Sequence, residues 1–145
     1  AESTPMEGGR RITKGEQTRE KILERSIRIF AKQGFDAASF QQIADSCGLS
    51  QAAVFYHFAD KTELVSGALS MIVEHNHSRV AGLMDPHDDA YVSLMKHMEG
   101  NLRWGLESPD EAQVLLLIYY LAYFNPRFTR AYGEMLATAR GRVLR

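Results

Sequence analysis

The sequence has few of the residues that form covalent cross-links or reactive centres. Its single cysteine, Cys47, cannot form an intrachain disulfide, which favours a reducing compartment. No glycine-rich phosphate loop, nucleophile elbow or cysteine cluster occurs in the sequence. His75 and His77 are two positions apart, so they would point to different sides of a helix and make poor metal ligands together. We therefore expect no enzymatic activity, no metal site and no cofactor.

Long hydrophobic segments and an excess of one charge are also absent. The longest apolar run, Val114 to Phe124, has 11 residues, well below the ~20 that a bilayer-spanning helix needs. The first residues do not contain the apolar core of a signal peptide. We therefore expect a cytoplasmic protein with no membrane partner. The net charge is −1, and residues 10–65 carry only nine basic against seven acidic side chains, so charge alone does not indicate nucleic-acid binding.

Helical periodicity is present along most of the chain. Apolar residues recur at intervals of three and four, and no segment shows the alternation of a strand or an internal repeat. With 145 residues, of which 45% are hydrophobic, the chain is long enough for one small domain joined to a helical body. The expected fold class is all-α.

Residues 39–57 have the pattern of two short helices joined by a tight turn. Ser39 is a suitable N-cap, and Gln42 stands at the distance of a capping box. Gly48 can adopt the left-handed conformation that ends a helix, and Ser50 is then the N-cap of the second helix. This pattern is typical of a helix-turn-helix.

Longer helices are predicted on both sides of this motif. A helix from about Thr18 to Gln33 has one buried apolar stripe and ends at Gly34. Asp60, with Glu63 at the capping-box distance, begins another helix. That helix meets no strong breaker before Asp85-Pro86, so it is expected to link the motif to the rest of the chain.

Three further helices are predicted after residue 86. Ser108 and Glu111 have the spacing of a capping box at the start of the second. The body of that helix, 114–124, is apolar all round, which predicts burial on every side. Asn125-Pro126 ends it, and the last helix has no stop signal. The first of the three carries an apolar face of Tyr91, Met95, Met98, Leu102 and Leu106.

The residues from about 16 to 66 resemble the DNA-binding domain of the TetR (tetracycline repressor) family. The resemblance is specific because about a dozen positions agree in both type and spacing. The matching residues are Thr18-Arg19, Ile22-Leu23, Phe30, Gly34-Phe35, Ser39, Ile43-Ala44, Gly48-Leu49-Ser50, Phe55-Tyr56-His57-Phe58, Lys61 and Leu64.

This resemblance implies that the short helix after Ser50 lies in the major groove of DNA. Gln51 would bond to an adenine or guanine edge, and the methyl groups of Ala52 and Ala53 would touch thymine methyls. Phe55 departs from the tyrosine that is common in the family, and it lacks a hydroxyl that could reach a phosphate. Ala53 stands where the family often has threonine.

Other residues are expected to contact the DNA backbone. Arg10, Arg11 and Lys14 precede the first helix, where a basic arm can follow phosphates or enter the minor groove. An inert tail is the alternative reading of this arm, and disorder is expected for residues 1–9. The complete set of DNA-binding candidates is Arg10, Arg11, Lys14, Thr18, Ser39, Gln51, Ala52, Ala53, Phe55, Tyr56, His57 and Lys61.

The resemblance also implies a ligand cavity in the helical body. The body is rich in methionine and aromatic residues, each of which could instead belong to an ordinary core. The expected ligand is a mostly hydrophobic small molecule held by one or two polar groups. The candidate ligand-binding residues are Met95, Met98, Leu102, Trp104, Leu117, Tyr120, Tyr123 and Phe124.

The sequence therefore predicts a ligand-responsive repressor that acts as a homodimer on a palindromic DNA operator. We expect a disordered basic arm (1–15), a helix-turn-helix domain (16–66) and a helical regulatory domain (67–145). Proteins that resemble this chain usually continue through two more long helices that pair with a second subunit. The expected fold lacks them, either because this chain is a shortened version or because that part is not included in the sequence. Two alternatives stay open: a protein-interaction module that keeps the helix-turn-helix fold without DNA binding, and an enzyme or carrier built in the body.

Overall fold

A computed structural model describes residues 12–143, and the part of the chain that it describes contains helices and no strands. The all-α expectation is confirmed. The helices are α1 (Lys14–Ala37), α2 (Phe40–Cys47), α3 (Gln51–His57), α4 (Lys61–Ala81), α5 (Ala90–Glu107), α6 (Pro109–Phe124) and α7 (Pro126–Val143). We call α1–α3 the head and α5–α7 the body, with α4 between them.

The helix ends of the head follow local capping chemistry. Ser39 and Gln42 form the predicted capping box at the start of α2, and Ser50 caps α3 by accepting a hydrogen bond from the Ala53 amide. α1 begins earlier than predicted, because Thr13 and Glu16 form a capping box of their own. Each of these helices is therefore fixed by residues within four positions of its own first turn.

The break predicted at Gly34 is present, although the chain remains helical for three residues beyond it. Gly34 has a backbone φ of 77°, a value that residues other than glycine rarely adopt. The reversal turns Phe35 inward, where its ring packs on the edge of Phe30 with centroids 4.9 Å apart. Phe35 also stacks on Phe128 of α7, at 5.4 Å. The same turn therefore closes the head and attaches the last helix.

One hydrophobic core runs from the head through α4 to α6. α1 lies at its centre, because Ile22 and Phe30 are fully buried where α1 meets α2, α4 and α6. Phe58, at the end of α3, and Leu64 of α4 are also fully buried. The core therefore joins α2, α4 and α6 to α1, and α3 packs on α2. Among the described residues, no helix is both long enough and apolar enough to cross a bilayer.

Ser108 is the N-cap residue of α6, as predicted, and Pro109 is its first residue, but the predicted capping box is wrong. The Ser108 side chain makes no capping hydrogen bond. Glu111, which was expected to complete the box, instead accepts a hydrogen bond from Trp104 Nε1 at 3.1 Å and pairs with His75 Nδ1 at 2.7 Å. A tertiary contact has replaced the local one, because Glu111 faces α4 and α5 rather than its own helix end.

The prediction that α6 is buried on every side is also wrong. Only Val114, Ile118 and Ala122 are buried, on the face that packs against α1 and α7. The opposite face is not covered by any described element, and Tyr123 is 86% exposed there. The other large exposed side chains of this face are Leu116, Tyr119, Tyr120 and Phe124.

Candidate nucleic-acid interface

The corner between α2 and α3 holds the two helices at a fixed angle. Gly48 adopts φ 66°, which lets the Leu49 amide donate to the Ala44 carbonyl at 2.9 Å. Ala44 is fully buried, so its small side chain allows the two helices to approach closely, and Val54 of α3 fills the space beside it. This is the geometry of a helix-turn-helix, in which α3 is presented to the outside by the two helices behind it.

α3 presents a narrow outer face. The exposed residues are Gln51 and Ala52 in the first turn and Phe55 and Tyr56 one helical turn later. Val54 is buried on the inner face. Four of the predicted DNA-binding residues therefore share one surface of one helix.

Phe55 and Tyr56 are the two exposed large apolar side chains of the described head. Phe55 is 45% exposed, and its ring lies parallel to that of Phe40, with centroids 4.3 Å and planes 5° apart. Tyr56 is 86% exposed, and its ring lies edge-to-face with that of His57, with ring centroids 5.2 Å apart. The other large apolar residues of the head are buried or partly buried, so the exposure of Phe55 and Tyr56 distinguishes the outer face of α3.

The first turns of α1 lie near the far end of α3. Lys14 is exposed at the first position of α1, and the Thr18 hydroxyl donates to the Lys14 carbonyl at 2.9 Å. Arg19, which follows Thr18, places its guanidinium 4.3 Å from the centre of the Phe58 ring. This contact was not anticipated from the sequence. Arg10 and Arg11 of the predicted arm lie outside the described residues.

Lys61 makes contacts that the sequence did not predict. Its ammonium donates to the Phe35 carbonyl at 2.9 Å and approaches the Asp36 carbonyl at 3.4 Å. The side chain thus ties the first turn of α4 to the end of α1, where helix carbonyls favour a cation. Lys61 therefore has a structural role. Because an ammonium has three N–H donors, one donor remains for a phosphate, and that contact stays a prediction.

The remaining candidates occupy supporting positions. Ser39 is exposed at the start of α2, where its hydroxyl accepts from the Gln42 amide at 3.1 Å. It precedes Phe40 and therefore lies close to the outer face of α3. Ala53 and His57 are partly covered on the flanks of α3. Their DNA contacts stay predictions.

The candidate ligand-binding residues do not line one enclosed cavity. Met95, Met98 and Leu102 lie on an open groove of about 620 Å³ along α5. Trp104 is buried and Leu117 is partly buried, and both pack in the core. Sequence periodicity correctly grouped the α5 residues on one face but could not show that this face is uncovered.

A second open groove, of about 440 Å³, lies between α6 and α7. It contains Tyr120, Tyr123 and Phe124, the remaining predicted ligand residues, together with Tyr119 and Tyr132. Burial, and to a smaller extent the neighbouring Tyr119, raise the pKa of Tyr132. The groove therefore combines aromatic rings with phenol hydroxyl groups.

A row of polar contacts joins α4 to the body. Besides the contacts of Glu111 described above, Asn76 Nδ2 donates to Asn101 Oδ1 at 3.0 Å, and Arg79 pairs with Glu107. Periodicity alone gives no signal for these pairs, because their partners are separated by 25 or more residues. Within residues 12–143, no group of three or more histidine, cysteine, aspartate or glutamate side chains could hold a metal ion.

Comparisons with known proteins agree with this geometry. Residues 22–68 match the family described as "Bacterial regulatory proteins, tetR family". The uncharacterized HTH-type transcriptional regulator YerO of Bacillus subtilis is 44% identical over 52 residues, which are 36% of this chain and 18% of that protein. The "Probable acrEF/envCD operon repressor" of Escherichia coli K12 is 27% identical over 128 residues, covering 83% of this chain and 52% of that protein. The chain thus spans about half or less of the length of these relatives.

Solved structures show the same helical architecture. A transcriptional regulator from Saccharomonospora viridis in complex with choline is 26% identical, with a TM-score of 0.72 over 84% of this chain and 64% of that one. A TetR family transcription regulator from Marinobacter aquaeolei VT8 is 23% identical, with a TM-score of 0.72 over 88% of this chain and 67% of that one. The arrangement of α1–α7 is therefore a known regulator fold.

Proposed function

Because the chain belongs to the TetR family of bacterial regulatory proteins, we propose that it is a sequence-specific DNA-binding transcriptional regulator. It acts in the cytoplasm as a homodimeric repressor that responds to a small molecule, and it has no enzymatic role. Several of its relatives are named as transcriptional regulators or repressors. The proposed division places DNA binding in residues 16–66 and regulation in residues 67–145, with residues 1–15 as a basic arm.

The observation that carries the proposal is the outer face of α3. A soluble domain normally covers its large aromatic side chains, yet Phe55 and Tyr56 are exposed beside the Gln51 amide. An α-helix of this kind fits the major groove, where an amide can bond to a base edge and methyl or ring carbons can touch a thymine methyl. The exposed residues therefore have the chemistry of base recognition.

Backbone contacts would surround this face. Phosphates would be bound by the side chains of Lys14, Thr18, Tyr56 and His57 and by the remaining donor of Lys61. Such contacts set register rather than sequence preference. The amides at the start of α2, next to Ser39, offer further donors. In a homodimer, two copies of α3 would read half-sites about 34 Å apart.

The helical body is the proposed sensor. Its exposed apolar faces on α5 and α6 are suited to a hydrophobic ligand and to a second subunit. The Saccharomonospora viridis structure holds choline, which supports a small-molecule effector for this chain. Effector binding would tilt α4 through its contacts with Glu107 and Glu111. The tilt would change the separation of the two α3 helices.

The DNA-binding proposal is tested by selecting duplexes from a random library with the native chain. Gln51→Ala should relax base preference at one position per half-site and cost about 1–3 kcal/mol there. Gln113→Ala, which removes an exposed glutamine of α6, is the matched control and should leave binding unchanged. If Gln51→Ala kept the native ranking of duplexes, α3 would not be the reading helix.

The basic arm is tested with the same duplexes. Deleting residues 1–9 should leave affinity nearly unchanged, whereas replacing Arg10, Arg11 and Lys14 with alanine should weaken binding at all sequences and lower the salt dependence. Equal affinities of the triple variant and the native chain at low salt would show that the arm is an inert tail.

The effector is sought by a thermal-shift screen of hydrophobic compounds, including choline-like cations. A true effector should weaken operator binding by about 1–3 kcal/mol, and DNA should weaken effector binding by the same factor. Met98→Trp, which fills the α5 groove, should block the effector and spare DNA binding. Compounds that stabilise the protein without changing operator affinity would reduce the proposal to a ligand-independent DNA-binding protein.

A protein-interaction module is the second candidate function. Two features favour it: residues 10–65 carry a net charge of only +2, with nine basic and seven acidic residues, and Phe55 lacks a hydroxyl. The two candidates differ in salt dependence, because DNA binding releases counterions and weakens steeply as salt rises. A shift assay with genomic fragments at two salt concentrations separates them.

A further inference from the structure

We propose that the stacked rings of Phe40 and Phe55 form an apolar plate that recognises a thymine in each half-site by its C5-methyl group. This inference rests on the proposed DNA-binding function and assigns Phe55 as a specificity-determining residue of it. We call the two rings the Phe40–Phe55 plate.

The plate is held in one orientation. Phe40 is the first residue of α2 and is only 8% exposed, so its ring is anchored in the core of the head. The Phe55 ring lies 4.3 Å away at an interplanar angle of 5°, so one of its faces is covered by Phe40. Phe55 is 45% exposed, so the part of its side chain that Phe40 does not cover is open to solvent. A rotation of Phe55 would therefore break the stack.

The chemistry of the plate limits what it can recognise. A phenyl ring with no hydroxyl cannot donate a conventional hydrogen bond, so a base edge that offers only polar atoms would lose water there without compensation. In the major groove, the apolar group on a base edge is the C5-methyl of thymine. Ala52, one position along the outer face from Gln51, adds a second apolar contact. The plate therefore favours thymine over cytosine.

The residues next to the plate are suited to the polar contacts with a base and a phosphate. Gln51 is the residue of the outer face whose side-chain amide can pair with a base, and it lies one turn before Phe55. Tyr56 places its hydroxyl at the rim, where it can reach a phosphate. A purine read by Gln51 and a thymine read by the plate would then lie close together in the half-site.

The experiment measures how much the C5-methyl group of each thymine contributes to binding affinity. Duplexes selected by the native chain are resynthesised with each thymine replaced in turn by deoxyuridine, which removes only the C5-methyl, and affinities are measured by fluorescence anisotropy. At one thymine in each half-site the native chain should lose about fourfold in affinity, the value expected for one buried methylene. Thymines in the flanks are the control and should be insensitive. Placing 5-methylcytosine rather than cytosine at the critical position should restore part of the lost affinity.

Protein variants assign the effect to the plate. Phe55→Ala should bind thymine and deoxyuridine duplexes equally, whereas Phe55→Tyr, which keeps the ring and its stack, should retain the fourfold ratio, about that of one buried methylene. Because Phe55 is half exposed, Phe55→Ala should fold, which circular dichroism checks.

The remaining outcomes contradict the inference in distinguishable ways. A thymine-to-deoxyuridine ratio near one at every position would show that Phe55 meets the backbone or nothing, while DNA binding itself would stand. A ratio that persists in Phe55→Ala would assign the methyl to another residue. Failure to select any duplex would overturn both this inference and the proposed function.

Discussion

The head and the body cover their apolar residues to very different extents. In the described head, two large apolar side chains, Phe55 and Tyr56, are exposed, and both lie on the outer face of α3. In the body, α5 and α6 each expose a whole stripe of them. The exposed stripes consist of Tyr91, Leu94, Met95, Met98, Leu102 and Leu106 on α5, and Leu116, Tyr119, Tyr120, Tyr123 and Phe124 on α6.

This difference shows how each region obtains its stability. The three helices of the head bury their apolar residues, among them Ile22, Ile43 and Val54, in a core that they share with α4 and α6. In the body, α6 buries one face against α1 and α7, and Phe128 of α7 adds a stacked contact with Phe35 of the head. Exposed residues of the head therefore point to a specific contact, whereas those of the body form surfaces broad enough for a ligand or a second subunit.

The largest expected effect tests whether the core of the head carries the fold. Phe58→Ala removes a ring that is fully buried and lies against the Arg19 guanidinium. It should lower the free energy of unfolding by about 3–5 kcal/mol. Urea denaturation followed by circular dichroism measures this as a shift in the midpoint at constant protein concentration.

Tyr123→Ala is the matched change in the body. It removes an aromatic side chain of similar size that is largely exposed, so it should change stability by less than about 0.5 kcal/mol. Equal losses from the two variants would contradict the contrast between a closed head and an uncovered body. The result would then indicate that the α6 face is buried in solution, most simply against a second subunit.

The contrast also explains which features the sequence could predict. Ser39, Gln42, Gly48 and Ser50 act within a few residues of themselves, so pattern reasoning located α2, the turn and α3 correctly. The capping box predicted from Ser108 and Glu111 failed because distant partners on α4 and α5 competed for the same carboxylate. Periodicity detects an apolar face, but it carries no information on whether another element covers that face.

A second prediction concerns Lys61, which sequence analysis assigned only to a phosphate contact. Lys61→Ala should lower stability by about 1.5–3 kcal/mol, because it leaves the carbonyls of Phe35 and Asp36 without their charged donor. Lys32→Ala, which removes an exposed lysine of α1, should change stability little. Weakened DNA binding by Lys61→Ala at unchanged stability would assign the residue to phosphate contact alone.

A third prediction compares one glycine from each region. An added methyl group would meet no atom within 4 Å at either Gly48 or Gly133, so steric space is equal. Gly48 has φ 66°, so Gly48→Ala should cost about 1–2 kcal/mol. Gly133 lies inside α7, where Gly133→Ala should instead stabilise the protein by about 0.5–1 kcal/mol. Denaturation midpoints that moved in the same direction would show that the turn at Gly48 is not held as described.

The smallest expected effect concerns Glu111, where the body contacts α4. Glu111→Gln keeps an oxygen that can accept from Trp104 Nε1 but removes the charge opposite His75. His75 is partly exposed, so the loss of stability should stay below about 1 kcal/mol.

If this contact transmits effector binding to α4, the same variant should reduce the coupling between effector and DNA while leaving each separate affinity nearly unchanged. Glu99→Gln, which breaks a pair with Arg103 inside α5, is the control and should leave the coupling intact. Native coupling in Glu111→Gln would mean that the body reaches α4 through its apolar contacts, and the uncovered faces of α5 and α6 would then be the surfaces to mutate next.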